Sequence, residues 1–161
     1  MTPVPGLVVD LADGVLTARF DRPEVFNAVS GEMMLGLADL LESVPARDDV
    51  RVVVLTGTGP AFCTGADISG EAAHERFDVR AMDVTNRVVR AVVACDRPVL
   101  AAVNGIAAGV GCSLALAADL SVAAASSSYL LAFTRIGFMP DGGASATVAA
   151  SIGRARAMRM A

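Results

Sequence analysis

Two glycine-rich loops hold most of the residues whose type and spacing suit chemistry. Gly111-Cys112-Ser113-Leu114-Ala115 is a weakened form of the Gly-x-Ser-x-Gly elbow that presents a nucleophilic serine. The hydrolase order Ser, acid, His needs a histidine after that serine, and the one histidine, His74, precedes it. A serine hydrolase is therefore set aside. The second loop, GTGPAFCTG over Gly57 to Gly65, lacks the Gly-Lys-Ser/Thr ending of a P-loop and has Phe62 where a dinucleotide fingerprint needs its third glycine. Neither nucleotide motif survives. Cys63, Cys95 and Cys112 are odd in number and show no Cys-x-x-Cys spacing, so neither a disulfide framework nor a zinc site is expected. With a single histidine, no metal centre is expected.

What remains is backbone chemistry. Each loop follows an apolar run and leads toward a helix N-terminus, where unpaired N–H groups and the helix dipole favour negative charge. One donor from each loop would make an oxyanion hole for a carbonyl oxygen that becomes negative during reaction. Two ordinary strand-to-helix turns would have the same spacing.

The elements that must position these loops are legible in outline. Asp13-Gly14 between the alternating runs Leu7 to Leu11 and Val15 to Phe20 reads as a hairpin that Arg22-Pro23 stops. Ser30 caps a helix over about Gly31 to Val44, with Met33, Met34, Leu37, Leu40 and Leu41 at helical spacing and Pro45 ending it. Val50 to Gly57 is a nearly continuous β-branched run, as expected of a strand covered on both faces. Thr58 to Gly65 follows as a loop. Phe77, Val84, Val88 and Val92 share one face of a second helix ending before Arg97-Pro98, and Val99 to Val103 is the next strand. A loop after Asn104 leads to a helix over about Gly109 to Ala118, then strand-like Leu120 to Ala124 and Tyr129 to Phe133, and one or two helices over Asp141 to Ala161. Strands alternating with helices, without an internal sequence repeat, make this an α/β chain.

Composition narrows the class. The chain has 161 residues, 54% of them hydrophobic, which suits one folded domain and excludes disorder. Its net charge of −4 and the absence of an arginine-rich run argue against nucleic acid. Between Arg97 and Arg135 the only charged side chain is Asp119, so this stretch is expected to be almost wholly buried. Pro98 to Ala118 is uncharged over 21 residues, long enough to cross a bilayer, but its glycines, Asn104 and Ser113 and its weakly apolar alanines favour a buried strand and helix, with no membrane contact. MTPVPGLVVD has no basic region followed by a long apolar stretch, so no signal peptide and a cytoplasmic location are expected.

The sequence resembles the enoyl-CoA hydratase/isomerase (crotonase) family in order along nearly the whole chain. The resemblance is carried by Arg22-Pro23 with Asn27-Ala28-Val29-Ser30, GTGPAFCTGADIS at 57–69, DRPVLAAVNGIAAGVGCSLALAADLSVAA at 96–124 and RIGFMPDGGAS at 135–145. It implies a crotonase-like ββα spiral core. It implies an oxyanion hole made by the backbone N–H of Ala66, in the Gly-Ala-Asp triplet, and of Val110, the middle of the matched Gly109-Val110-Gly111. It further implies that coenzyme A, as part of the substrate and not a separate cofactor, lies along Asn27-Ala28 and Thr64-Gly65-Ala66-Asp67-Ile68-Ser69, with adenine bonded to backbone near Thr64, Ala66 and Ile68. Family hydratases use two glutamates to hold water and shuttle its proton; their positions fall here on Ser113 and Phe133, neither of which can do general acid–base work near neutral pH.

Asp141, after Pro140, is the compensating carboxylate, at a position where some relatives carry a functional Asp; the alternative is a helix N-cap before Gly-Gly-Ala. Ser113 is expected to be structural or to bind water, Asp67 to hydrogen-bond locally, and Cys63 and Cys112 to be buried packing residues. Glu71, His74 and Glu75 form a polar cluster that either borders the acyl pocket or is a solvated loop. The expected activity is that of an acyl-CoA hydratase or isomerase stabilising a thioester enolate, the alternative a non-catalytic acyl-CoA-binding homologue. The resemblance also implies a homo-trimer or hexamer, and that family domains continue through a C-terminal third beyond Ala161.

Overall fold

The computed structural model describes residues 3–69 and 79–160. Its first unit is the expected hairpin: β1 (Leu7–Ala12) pairs antiparallel with β2 (Val15–Phe20), from Leu7 opposite Phe20 to Ala12 opposite Val15. Asp13 and Gly14 both have positive φ, 50° and 81°, as a two-residue turn matched to strand twist requires. Alternation along β2 buries Leu16, Ala18 and Phe20. Helix α1 (Gly31–Ser43) starts at Ser30, whose hydroxyl accepts the Met33 N–H at 3.2 Å, and buries Met33, Leu37, Leu40 and Leu41.

From there the chain winds in a repeating path. Strand β3 (Val52–Gly57) joins the first sheet and β4 (Ala61–Cys63) a second, before α2 (Val79–Ala94). The next turn supplies β5 (Val99–Val103), β6 (Ile106–Ala108) and α3 (Val110–Ala117). The third supplies β7 (Leu120–Ala123), β8 (Ser128–Leu130), a 3-10 helix over Ala132–Ile136 and α4 (Ala144–Ile152), followed by α5 (Arg154–Met160). Each turn therefore gives one strand to each sheet. The first sheet has the order β1-β2-β3-β5-β7 and the second β4-β6-β8, parallel everywhere except between β1 and β2.

Three expectations change. Thr58 to Gly65 and the stretch after Asn104, expected as loops, each contain a three-residue strand of the second sheet. Phe133 lies in the 3-10 helix after β8, not in a strand. The uncharged stretch after Arg97 is buried at Val99, Ala101, Val103 and from Val110 to Ala115, but Leu120 and Val122 of the edge strand β7 are 66% and 62% exposed, with nothing among the described residues packed on them. Pro98 to Ala118 is two strands and an eight-residue helix, and no described helix is long and apolar enough to cross a membrane.

Helices α1 and α2 pack together, with Arg87 of α2 bonded to Asp39 and Glu42 of α1, both at 2.6 Å. In the core, Phe20 and Phe62 meet edge to face with centroids 5.5 Å apart, amid Leu16, Leu37, Leu55 and Leu114. Two asparagines tie the turn between β3 and β4. Asn27 is wholly buried at a left-handed φ of 57°; its Nδ2 donates to the carbonyls of Thr58 (2.9 Å) and Ala61 (2.8 Å), and its Oδ1 accepts the Arg22 N–H at 2.8 Å. Asn104 Oδ1 accepts the Gly57 N–H at 3.1 Å, and its Nδ2 donates to the carbonyls of Gly59 (2.9 Å) and Ala61 (3.0 Å). Only glycine fits after it, because a Cβ on Gly105 would lie 2.0 Å from the Pro60 carbonyl oxygen.

Candidate active site

Strands β4 and β6 are parallel neighbours, so their C-terminal ends deliver the two glycine-rich junctions side by side, the usual ligand position in parallel sheets. The junctions touch: Gly65 Cα is 3.5 Å from the place a Gly109 Cβ would occupy, and a Cβ on Gly65 would lie 3.7 Å from the Val110 nitrogen. Both line one cavity of about 420 Å³, whose apolar wall includes Met34, Met82, Val84, Phe133, Phe138 and Met139.

The two backbone donors are set up differently. Residue 66 sits in a single parallel bridge to Val29: the Val29 N–H donates to the Gly65 carbonyl at 2.8 Å, and the Asp67 N–H donates to the Val29 carbonyl at 2.9 Å. Successive N–H groups of extended chain point to opposite sides, so the Ala66 N–H is directed away from Val29. Val110 is the first residue of α3, where an N–H has no partner within the helix and lies at the positive end of its dipole. The backbone demand falls on Gly109 (φ 54°, ψ −131°), a conformation suited to glycine, so β-branched Val110 keeps a negative φ.

Among the described residues, two carboxyls line this cavity, those of Asp67 and Asp141. Asp141 is the one that burial perturbs. Burial pushes it up to about 6 from an ordinary 3.8, with its own backbone N–H offsetting part of the effect. Its Oδ1 is buried without a hydrogen-bond partner. It is not a side-chain cap: Gly143 occupies the N-cap of α4 without a side-chain hydrogen bond, and Asp141 supplies only its backbone carbonyl, which accepts the Ala144 N–H at 3.0 Å.

The two glutamate positions separate. Phe133 forms cavity wall, whereas Ser113 is buried behind it, its hydroxyl donating to the Asp141 backbone carbonyl at 3.1 Å. Asp67 is at the rim and is structural: the Ser69 hydroxyl (2.6 Å) and N–H (3.0 Å) and Arg22 (2.8 Å) all donate to its carboxylate, which they hold down at about 2. Arg22 also donates to the Ala28 carbonyl at 2.8 Å, clamping residues 26–29 to residues 64–69. Of the residues expected along coenzyme A, Thr64, Gly65, Ala66, Asp67 and Ile68 line the cavity, while Asn27, Ala28 and Ser69 do not. The Asn27 side chain is wholly buried, with both of its Nδ2 protons and its Oδ1 engaged in holding the turn. Burial pushes the Cys63 thiol up to about 12 and the Cys112 thiol to about 11, which fits packing residues. Glu71, His74 and Glu75 lie outside the described residues. Met34, expected only as a residue of the first helix, lines the cavity with Met82, Phe138 and Met139, for which the sequence suggested no site role; they come from distant parts of the chain, and only the spiral gathers them.

Comparison with known proteins agrees with this geometry. The family described as Enoyl-CoA hydratase/isomerase matches residues 10–161. A probable enoyl-CoA hydratase of Rhodobacter capsulatus is 44% identical over 154 residues, covering 94% of this chain and 59% of that protein. The 1,2-epoxyphenylacetyl-CoA isomerase of Escherichia coli is 37% identical over 153 residues, covering 92% of this chain and 58% of that protein. The crystal structure of an enoyl-CoA hydratase from Mycobacterium avium subsp. paratuberculosis superposes with a TM-score of 0.90 at 45% identity, over 99% of this chain and 61% of that one. The chain thus spans about three fifths of the length of these relatives. With two sheets wound as ββα turns and both glycine-rich junctions at one cavity, the chain belongs to the enoyl-CoA hydratase/isomerase family and has its crotonase fold.

Proposed function

We propose that this site moves a proton within an acyl-CoA thioester, as an enoyl-CoA isomerase does, with one carboxylate and not two. The observation that carries this reading is the Asp141 carboxyl, its Oδ1 buried without a partner, lining the cavity that the Ala66 and Val110 junctions also line, while Ser113 and Phe133 stand at the positions of the hydratase glutamates.

The thioester oxygen accepts hydrogen bonds from the Ala66 and Val110 N–H groups. Asp141, as carboxylate, takes the α-proton of a 3-enoyl thioester. The electron pair of the broken C–H bond moves through the carbonyl to leave a dienolate, its negative charge on the oxygen held by the two donors. The carboxylic acid then returns the same proton to the γ-carbon, giving the 2-enoyl thioester and regenerating the carboxylate. A base poised near 6 is ionised at neutral pH yet still basic enough to share in such a transfer. Thr64 to Ile68 form the rim along which the coenzyme A portion runs, and the methionine and phenylalanine wall receives the acyl chain.

The test measures acyl-CoA binding by calorimetry and, in the same preparation, conversion of 3-enoyl to 2-enoyl thioesters, hydration of 2-enoyl thioesters, and exchange of the α-proton in heavy water. Isomerisation and exchange are expected without appreciable hydration, and both should fall at least about a hundredfold in Asp141→Asn. Binding with neither turnover nor exchange would make the chain a non-catalytic acyl-CoA-binding homologue, the reading that the two replaced glutamates also allow. Full activity in Asp141→Asn would remove Asp141 from the mechanism.

A further inference from the structure

We propose that Ser113 is a positioning residue for Asp141: its hydroxyl holds the backbone carbonyl of Asp141, and its small size lets Asp141-Gly142 lie directly against α3. The inference rests on the proton-transfer role given to Asp141 above.

The hydrogen bond that acts on this carboxyl comes from the backbone N–H of Asp141 itself, and Oδ1 is buried without a partner. Its direction is therefore set by the backbone that carries it. That backbone is held at one atom, the Asp141 carbonyl oxygen, which accepts the Ser113 hydroxyl at 3.1 Å and the Ala144 N–H at 3.0 Å. The two lone pairs of one carbonyl thus join α3 to the start of α4. A serine hydroxyl has a single proton, and its competing acceptor, the Gly109 carbonyl one turn back, is more distant at 3.4 Å.

Packing points the same way. A Cβ on Gly142 would lie 2.9 Å from Ser113 Cβ, 3.2 Å from its hydroxyl oxygen and 3.2 Å from Val89 Cγ2. Gly142 also has a φ of 57°, so both space and conformation require glycine there. Ser113 is itself only 1% exposed. A longer side chain at 113 would need the volume that the Asp141-Gly142 backbone fills, so the short residue at 113 and the inward carboxyl at 141 depend on one another. The serine lies behind the cavity wall and touches the backbone that aims the carboxyl.

Ser113→Ala deletes the hydroxyl and leaves the helix. In the unliganded protein, a carboxyl NMR titration of Asp141 is expected to move about one pH unit toward the ordinary carboxylate range, because a loosened backbone lets the group turn to water. The acidic limb of the kcat–pH profile for isomerisation should move with it. Among the described residues, the other carboxylate lining the cavity is Asp67, which is held at about 2 and does not titrate in that range. At about pH 7.5 kcat should fall about fivefold to tenfold, the scale of one hydrogen bond, with KM unchanged within about twofold. Gly142→Ala, which presses on the same contact while keeping the hydroxyl, should shift the same two profiles. An unmoved Asp141 titration in Ser113→Ala, or a change confined to KM or to the unfolding midpoint, overturns the proposal. The two readings fail separately: full activity in Asp141→Asn defeats the proton-transfer role, while the titration of Asp141 in Ser113→Ala still reports whether the serine positions it.

Discussion

Asp141→Asn should gain stability relative to the parent as the solution turns from acid to mildly alkaline, while it removes the proposed base. The folded carboxyl lies at about 6 against 3.8 for the free side chain, so the folded state binds its proton more tightly than the unfolded state does. Stability from this group is therefore greatest below about pH 4, falls as pH rises toward about 6, and stays low above it. The displacement of about two pH units, at about 1.4 kcal/mol each, sets an upper bound near 3 kcal/mol; the group is only partly buried, and solvent screening brings the expected effect to about 1–2 kcal/mol. The amide introduced by the substitution is similar in size to the carboxyl and carries no charge at any of these pH values. Its own cost of burial is the same throughout, so the difference between two pH values isolates the charge. Urea unfolding of parent and variant at about pH 4 and about pH 8 measures this. The variant should gain about 1–2 kcal/mol relative to the parent between the two conditions, or a melting temperature shift of about 3–6 °C for a chain of this length. A stability difference that is the same at both pH values would refute the burial argument, and with it the reason for expecting a base poised near neutrality.

Two other perturbations test other parts of the site. Val110→Pro removes the second N–H donor at the first position of a helix, where proline is tolerated, and should lower kcat/KM for isomerisation about a hundredfold to a thousandfold with circular dichroism unchanged; activity within about threefold of the parent would show that this N–H does not serve the oxyanion. The carboxylate of Asp67 is held at about 2, so the stability it contributes is present above about pH 4 and is lost as pH falls through about 2; Asp67→Asn should show a flatter acid limb in a pH series of unfolding midpoints than the parent, and identical limbs would deny the clamp with Arg22 and Ser69.

What could be read in the sequence divides by the length over which a signal extends. The hairpin, α1 with its Ser30 cap, β3 and β5 are all carried by local spacing or turn chemistry and appear where expected. The second sheet was not legible from periodicity, because Ala61–Cys63, Ile106–Ala108 and Ser128–Leu130 are too short to show a period of two and acquire their hydrogen bonds only from strands some 20 to 45 residues away. That sheet nevertheless brings the junctions after Cys63 and Ala108 together. The position of Asp141 was legible; its freedom from capping duty was not, since Gly142 and Gly143 shift the helix start beyond the reach of its side chain. Asn27 shows a role that its motif alone did not reveal. Its side chain is a brace, wholly buried and held by three internal hydrogen bonds that only the folded chain brings together.

The brace formed by Asn104 also bears on how this protein ages. An Asn followed by Gly is the pair most open to deamidation, because a glycine amide nitrogen can swing onto the asparagine side chain and close a five-membered imide. Here the amide of Asn104 is held by three hydrogen bonds, to Gly57, Gly59 and Ala61, and the following glycine is wedged against Pro60. The folded chain therefore suppresses a reaction that the unfolded chain permits. Once converted, residue 104 would set a carboxylate against the carbonyl oxygens of Gly59 and Ala61, acceptor against acceptor, and the turn beneath the site could not close as before. Each excursion to the unfolded state thus carries a chance of permanent damage, and the pair cannot be made safe by replacing Gly105, since no side chain fits there.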